Sequence, residues 1–118
     1  MKVAINIDFG GFGLSDAAFE KLLERKGVPF EKSKNDRYGM VNYYQPGHLD
    51  ENDFYISPYE FYGDRADPDL IAVIEEFGSK ADSNYSSLKI VEIPDDVEWI
   101  IHEYDGREHI AEKHRIWV

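Results

Sequence analysis

The sequence predicts an α+β domain in which an antiparallel or mixed sheet packs on two helices, in the approximate order βαββαβββ with a C-terminal β-hairpin. Three observations carry that reading. Apolar residues recur at helical spacing behind Ser15 and again behind Asp67-Pro68. Strand-like alternation runs over Val3 to Phe9 and Leu88 to Ile93. Asp105-Gly106, the strongest hairpin signal in the chain, divides two strand-like runs near the end. With 118 residues, 42% of them apolar and 14% aromatic, there is material for one packed core, so residues 1–118 read as a single domain.

Taken in order, Val3, Ile5, Ile7 and Phe9 alternate with Ala4, Asn6 and Asp8 as in a half-buried strand that stops at Gly10-Gly11. Ser15 can cap a helix running to about Lys26, with Phe19, Leu22 and Leu23 facing inward and Gly27 ending it. Residues 31–53 are mostly turn chemistry around a short strand, Met40 to Tyr44, with Phe54 to Ile56 as its expected partner. Asp67 as N-cap and Pro68 at the first helical position open a second helix through Phe77, closed by Gly78. Leu88 to Ile93 and Val97 to Tyr104 then read as strands separated by the Pro94-Asp95-Asp96 turn.

Charge narrows the partners. Twenty-four acidic against thirteen basic residues give a net charge of −11, which opposes electrostatic capture of nucleic acid or an anionic membrane and favours a basic partner. Residues 60–118 carry most of the excess, with fifteen acids against six bases. The chain has no cysteine, so disulfides and thiolate metal sites are excluded. Asn6 and Asp8 interrupt what would be the apolar core of a signal peptide, and the expectation is a cytoplasmic protein.

A two-residue Asp105-Gly106 loop sets Tyr104 opposite Arg107 and fixes the register of the whole hairpin: Ile101 faces Ile110, Trp99 faces Glu112 and Val97 faces His114. Alternation then assigns Val97, Trp99, Ile101, Ile110, Ile116 and Val118 to the core side, and Glu112 and His114 must share it. A buried carboxylate and imidazole require partners. Either they emerge at the end of the sheet or bond to each other and to backbone, or they line a polar pocket that orients a ligand or an arginine.

Several residues are candidates for such a site. Gly10, Gly11, Phe12 and Gly13 lie between a strand and a helix, where backbone N–H groups can approach an anion; a tight turn with Phe12 tucked inward is the plainer account. The spacing matches neither the dinucleotide fingerprint nor a P-loop. Arg65 stands just ahead of a helix N-terminus, where a cation needs an anionic companion, either Asp64, Asp67 and Asp69 or a phosphate or carboxylate ligand. His102 and His109 are cross-strand neighbours spaced for two metal ligands, with no third ligand evident and an exposed pair the plainer account. Arg115 and Trp117 share the polar face and could form a stacking platform or an oligomer contact. No nucleophile elbow, zincin motif or cysteine nucleophile is present, so catalysis would rest on Glu112 and His114 as acid and base.

The stretches "DFGGFGLS", "RADPDL", "VEIPDDVEW", "EYDG" and "HRIW" resemble those of a family of small proteins encoded by phages, prophages and bacteria. The resemblance covers both ends of the chain but not residues 27–63, and Asp8-Phe9 stands where that family has Cys-Tyr. It implies a phage setting and, by similarity to the Thoeris anti-defence sponges, a counter-defence factor that binds a nucleotide-derived immune signal without cleaving it. On that reading the glycine loop, Arg65 and Arg115 hold the phosphate of a small nucleotide-like ligand, and Glu112 and His114 orient it, with Trp117 beside them. No cofactor or metal is needed. Two other functions stay open: an acidic nucleic-acid mimic that blocks a basic host defence protein, and a small nucleotide hydrolase using Glu112 and His114.

Overall fold

The computed structural model describes residues 1–35 and 40–112 of the chain. Their order is β1 (Lys2–Asn6), α1 (Asp16–Arg25), β2 (Glu31–Asn35), β3 (Met40–Tyr44), α2 (Pro68–Phe77), β4 (Leu88–Glu92), β5 (Trp99–Tyr104) and β6 (Arg107–Glu112), which is the expected βαββαβββ. The described strands form three separate antiparallel ribbons, β1–β4, β2–β3 and β5–β6, rather than one continuous sheet.

Both helices start and stop where local chemistry demands. The Ser15 side chain accepts from the Ala18 N–H and that of Asp67 from the Asp69 N–H, while Pro68 needs no partner in the first turn. Ala18, Phe19, Leu22 and Leu23 of α1 meet Leu70, Ile71, Val73 and Ile74 of α2 in the core. The last turn of α1 is tied to the first of α2 by Lys26 Nζ to Asp67 (2.7 Å) and Arg25 Nε to Asp69 (3.3 Å). Hydrogen bonding to Asp67 raises the Lys26 ammonium above the ordinary lysine range. Two of the carboxylates expected around Arg65 are thereby committed elsewhere.

β1 is buried on both faces, not one: Val3, Ala4, Ile5 and Asn6 are all buried. Ala4 points into the helical core. The pairing with β4 gives its last backbone bond at Ile7, whose N–H donates to the Ser87 carbonyl at 2.8 Å, and does not reach Phe9 because the Asn6 side chain takes up the chain beyond it. Its Oδ1 accepts from the N–H groups of Asp8 (3.2 Å) and Ser87 (2.9 Å), and its Nδ2 donates to the Asp8 carbonyl (2.8 Å). Beyond that point Ile7 and Phe9 are exposed, at 42% and 57%.

The partner of β3 is β2, which the sequence assigned to turns. Glu-Lys-Ser-Lys-Asn has no apolar alternation to announce a strand; its pairing is supported from β3, whose Tyr43 is buried against Phe19 and Phe30, and by Lys32 reaching Glu20 at 3.1 Å. The expected partner, Phe54 to Ile56, makes only an isolated bridge at Tyr55 to Tyr44 beside a 3₁₀ turn at Asn52–Phe54.

The β5–β6 hairpin has the register read from Asp105-Gly106, from Tyr104 opposite Arg107 to Trp99 opposite Glu112. Its inward face is less deeply set than expected. Trp99, Ile101 and Ile110 are only half-buried, none belongs to the core cluster, and Glu112 is exposed. The tip packs most closely: a Cβ on Gly106 would lie 2.4 Å from the Gly11 nitrogen and 2.7 Å from the Phe9 carbonyl oxygen, and Gly106 has φ of +85°. Gly106→Ala is therefore expected to lower unfolding free energy by about 2–3 kcal/mol in urea titration, through both clash and backbone strain.

Candidate functional site

The hairpin tip, the glycine loop and the segment ahead of α2 meet at Arg65. Its guanidinium forms a two-pronged ion pair with Glu108 of β6, at 2.7 Å (Nη1 to Oε1) and 3.0 Å (Nη2 to Oε2). Arg65 Nε donates to the Tyr62 carbonyl at 2.9 Å, and its Cζ lies 3.7 Å from the centroid of the Phe12 ring, a cation–π contact. The Glu108 carboxylate also accepts from the Asn6 backbone N–H at 2.9 Å, and Asn6 Nδ2 donates to the Gly106 carbonyl at 2.8 Å. The Ala4 N–H donates to the Arg65 carbonyl at 2.8 Å, so the main chain at Arg65 lies along the free edge of β1. Both charged side chains are largely enclosed, 16% and 9% exposed.

The anionic companion that Arg65 requires is therefore Glu108, not a ligand phosphate and not Asp64, whose side chain caps Ala66. Nothing in the spacing from Arg65 to Glu108 advertises the pair. One signal was available: the hairpin register puts Glu108 on the same face as Ile101 and Ile110, making it an inward-facing carboxylate. Asn6, fully buried, was legible only as the polar half of an alternation.

The remaining sequence candidates divide. Gly10, Gly11, Phe12 and Gly13 adjoin Arg65. Gly10 packs so closely on Tyr85 that a Cβ would lie 2.0 Å from its carbonyl oxygen, and Phe12 is half-buried between Arg65 and Tyr62. The turn reading thus accounts for Phe12. Among the described residues the N–H groups of Gly10, Gly11, Phe12 and Gly13 have no hydrogen-bond acceptor. They border a cleft of about 330 Å³ rimmed by Tyr55, Tyr59, Tyr62 and Tyr85. Glu112, opposite the half-buried Trp99 at the last residue of β6, is exposed, so it is not buried in the core as the register had implied. His114, Arg115 and Trp117 lie outside the described residues.

On the other side of the hairpin tip a groove of about 680 Å³ separates the β1–β4 ribbon from β6. Ile5, Ile7, Val91 and Ile110 line it with apolar surface, Phe9 and Tyr104 contribute rings, and Lys89, Arg107 and His109 supply nitrogen groups. Among the described residues Lys89 and Arg107 make no ion pair, and Arg107 Cζ lies 5.8 Å from the Phe9 ring centroid. Glu108 also touches the groove, but its charge is balanced by Arg65. Neither Lys89 nor Arg107 was a sequence candidate for ligand binding, and His109 was one only as a metal ligand beside His102. Arg107 and His109 were legible as polar-face residues, but their lining one groove with Lys89 of β4 is a tertiary fact.

Two phenols complete the surroundings. Burial raises Tyr62 to about 12, partly offset by the Leu14 N–H that its oxygen accepts at 3.2 Å. Burial, with Asp16 and Glu20 nearby, raises Tyr43 as well. Comparisons with protein-family models, curated proteins and solved structures find no match to this chain. Among the described residues no helix is long and apolar enough to cross a membrane.

Two outcomes follow from this arrangement. Arg65→Ala and Glu108→Ala should each cost about 2–4 kcal/mol in urea unfolding by stranding an enclosed charge, while the paired replacement Arg65→Met with Glu108→Leu should cost less than either. Tyrosines whose folded pKa exceeds the unfolded value of 10.0 add stability that is complete below pH 10 and is lost as pH rises through about 12 for Tyr62. The urea midpoint should accordingly hold level to pH 10 and then fall, and Tyr62→Phe should flatten that fall.

Proposed function

We propose that this protein binds a small anionic, nucleotide-like ligand without turning it over, and that the groove between the β1–β4 ribbon and β6 is the binding site. The observation that carries this reading is the groove's charge. In a chain of net charge −11, Lys89 and Arg107 border one concavity, and among the described residues the one carboxylate that lines it, Glu108, is already neutralised by Arg65. Its volume falls within the range of small-molecule sites, and Phe9 and Tyr104 offer faces for a planar ring. Lys89 and Arg107 would hold the phosphate, with the purine or pyrimidine over the apolar lining.

This reading keeps the ligand class expected from the sequence and moves the cations that hold it from Arg65 to Lys89 and Arg107. The N–H groups of Gly10 to Gly13, without an acceptor among the described residues, would serve as donors on the far side of the tip for a ligand long enough to reach both clefts. In the phage setting that the motif resemblance implies, such binding would withdraw a nucleotide-derived signal from host antiviral signalling.

A second reading draws on the other cleft. Tyr59 and Tyr85, 79% and 73% exposed, present the aromatic surface characteristic of protein interfaces, which favours an acidic inhibitor docking on a basic defence protein. Calorimetry with cyclic mononucleotides, cyclic dinucleotides and ADP-ribose derivatives separates the two. The ligand reading predicts saturable binding of at least one, recovery of that compound unchanged, and at least tenfold weakening by Lys89→Ala or Arg107→Ala. Absence of binding across the panel would overturn it.

A further inference from the structure

The β5–β6 hairpin carries His102 and His109 directly opposite each other on its outward face. Their ring centroids are 5.2 Å apart and the rings stand at 86° to one another. With metal–nitrogen bonds of about 2.0–2.1 Å and each ring centre a further ~1.1 Å out, two imidazoles sharing one tetrahedral ion have centroids about 5 Å apart. The backbone register already holds the pair at that separation, so only side-chain rotation is needed to aim one nitrogen of each ring at a common point.

We propose that His102 and His109 form a bidentate chelating site for a late first-row divalent ion such as Zn²⁺ or Cu²⁺. Imidazole nitrogen selects these ions over Mg²⁺ and Ca²⁺, which take oxygen ligands. Among the described residues no third His, Cys, Asp or Glu joins them, so the remaining coordination positions go to water or an exogenous anion. That makes the site open, in the manner of an exchangeable rather than a structural metal. The groups facing the pair are consistent with occupancy. Ile100 and Ala111 flank it on one side without charge, and the nearest same-face cation, Arg107, is drawn toward the Phe9 ring. His48, by contrast, is stacked on Phe54 at 3.6 Å and bonded to Glu51 at 2.8 Å.

His109 also borders the groove, so the test is made on the intact protein with the metal alone and no nucleotide. Titration with Zn²⁺, followed by calorimetry and by ¹H–¹⁵N spectra, should give one site with shifts centred on residues 100–104 and 107–111. Cu²⁺ should broaden the same signals, and Mg²⁺ should leave them unmoved. His102→Ala and His109→Ala, both at exposed positions, should each weaken Zn²⁺ binding at least tenfold, whereas His48→Ala should match the parent. Parent-like Zn²⁺ affinity in both hairpin variants, or shifts centred elsewhere, would overturn the assignment.

Discussion

A two-stranded hairpin is marginal by itself in water, and β5–β6 sends no side chain into the helical core. What sets its orientation is a carboxylate. Glu108 leaves the inward face of β6, enters the edge of β1 and satisfies the Asn6 N–H and the Arg65 guanidinium together. Each partner is in turn held by something else: Arg65 by the Tyr62 carbonyl and the Phe12 ring, Asn6 by Asp8 and Ser87. An enclosed ion pair of this kind contributes little net stability, because desolvation offsets most of its attraction. Its geometry is specific, however, and it determines which face of the hairpin meets the body and at what depth.

That constraint shapes both concavities. The hairpin tip seated on Phe9 and Gly11 puts Phe9 in the groove beside β6 and leaves Gly10 to Gly13 bordering the tyrosine-rimmed cleft. Arg65 spends its charge on Glu108, while Lys89 and Arg107 are the lysine and arginine that line the groove. With the groove's own carboxylate balanced, those two cations have no ion-pair partner among the described residues. The latch and the proposed binding site are thus two aspects of one charge distribution.

Much of this fold was legible locally. Ser15, Asp67-Pro68 and Gly78 mark helix ends through their own backbone chemistry, and Asp105-Gly106 sets a register that propagates along twelve strand residues without tertiary help. β2 was not legible because Glu31 to Asn35 pairs through backbone bonds that impose no apolar pattern. The length of β1 was misread for a related reason: Phe9 continues the alternation, yet the ladder gives its last bond at Ile7 and the Asn6 side chain takes up the chain beyond it. At the site, the convergence of the glycine loop with Arg65 was anticipated, but the companion of Arg65 was not. A contact between residues 43 positions apart on different elements leaves no periodic trace, and only the hairpin register pointed to Glu108 as an enclosed acid.

The central claim is that Glu108 docks the hairpin onto the edge of β1, and the Asn6 backbone amide reports on it directly. That N–H lies on the strand edge away from β4 and has the Glu108 carboxylate as its acceptor. Native-state hydrogen exchange of Asn6 should be as slow as that of Val3 and Ile5, whose amides lie in the β1–β4 ladder, and should accelerate selectively in Glu108→Gln. An Asn6 amide that exchanges in the parent as fast as those of the glycine loop would contradict the account.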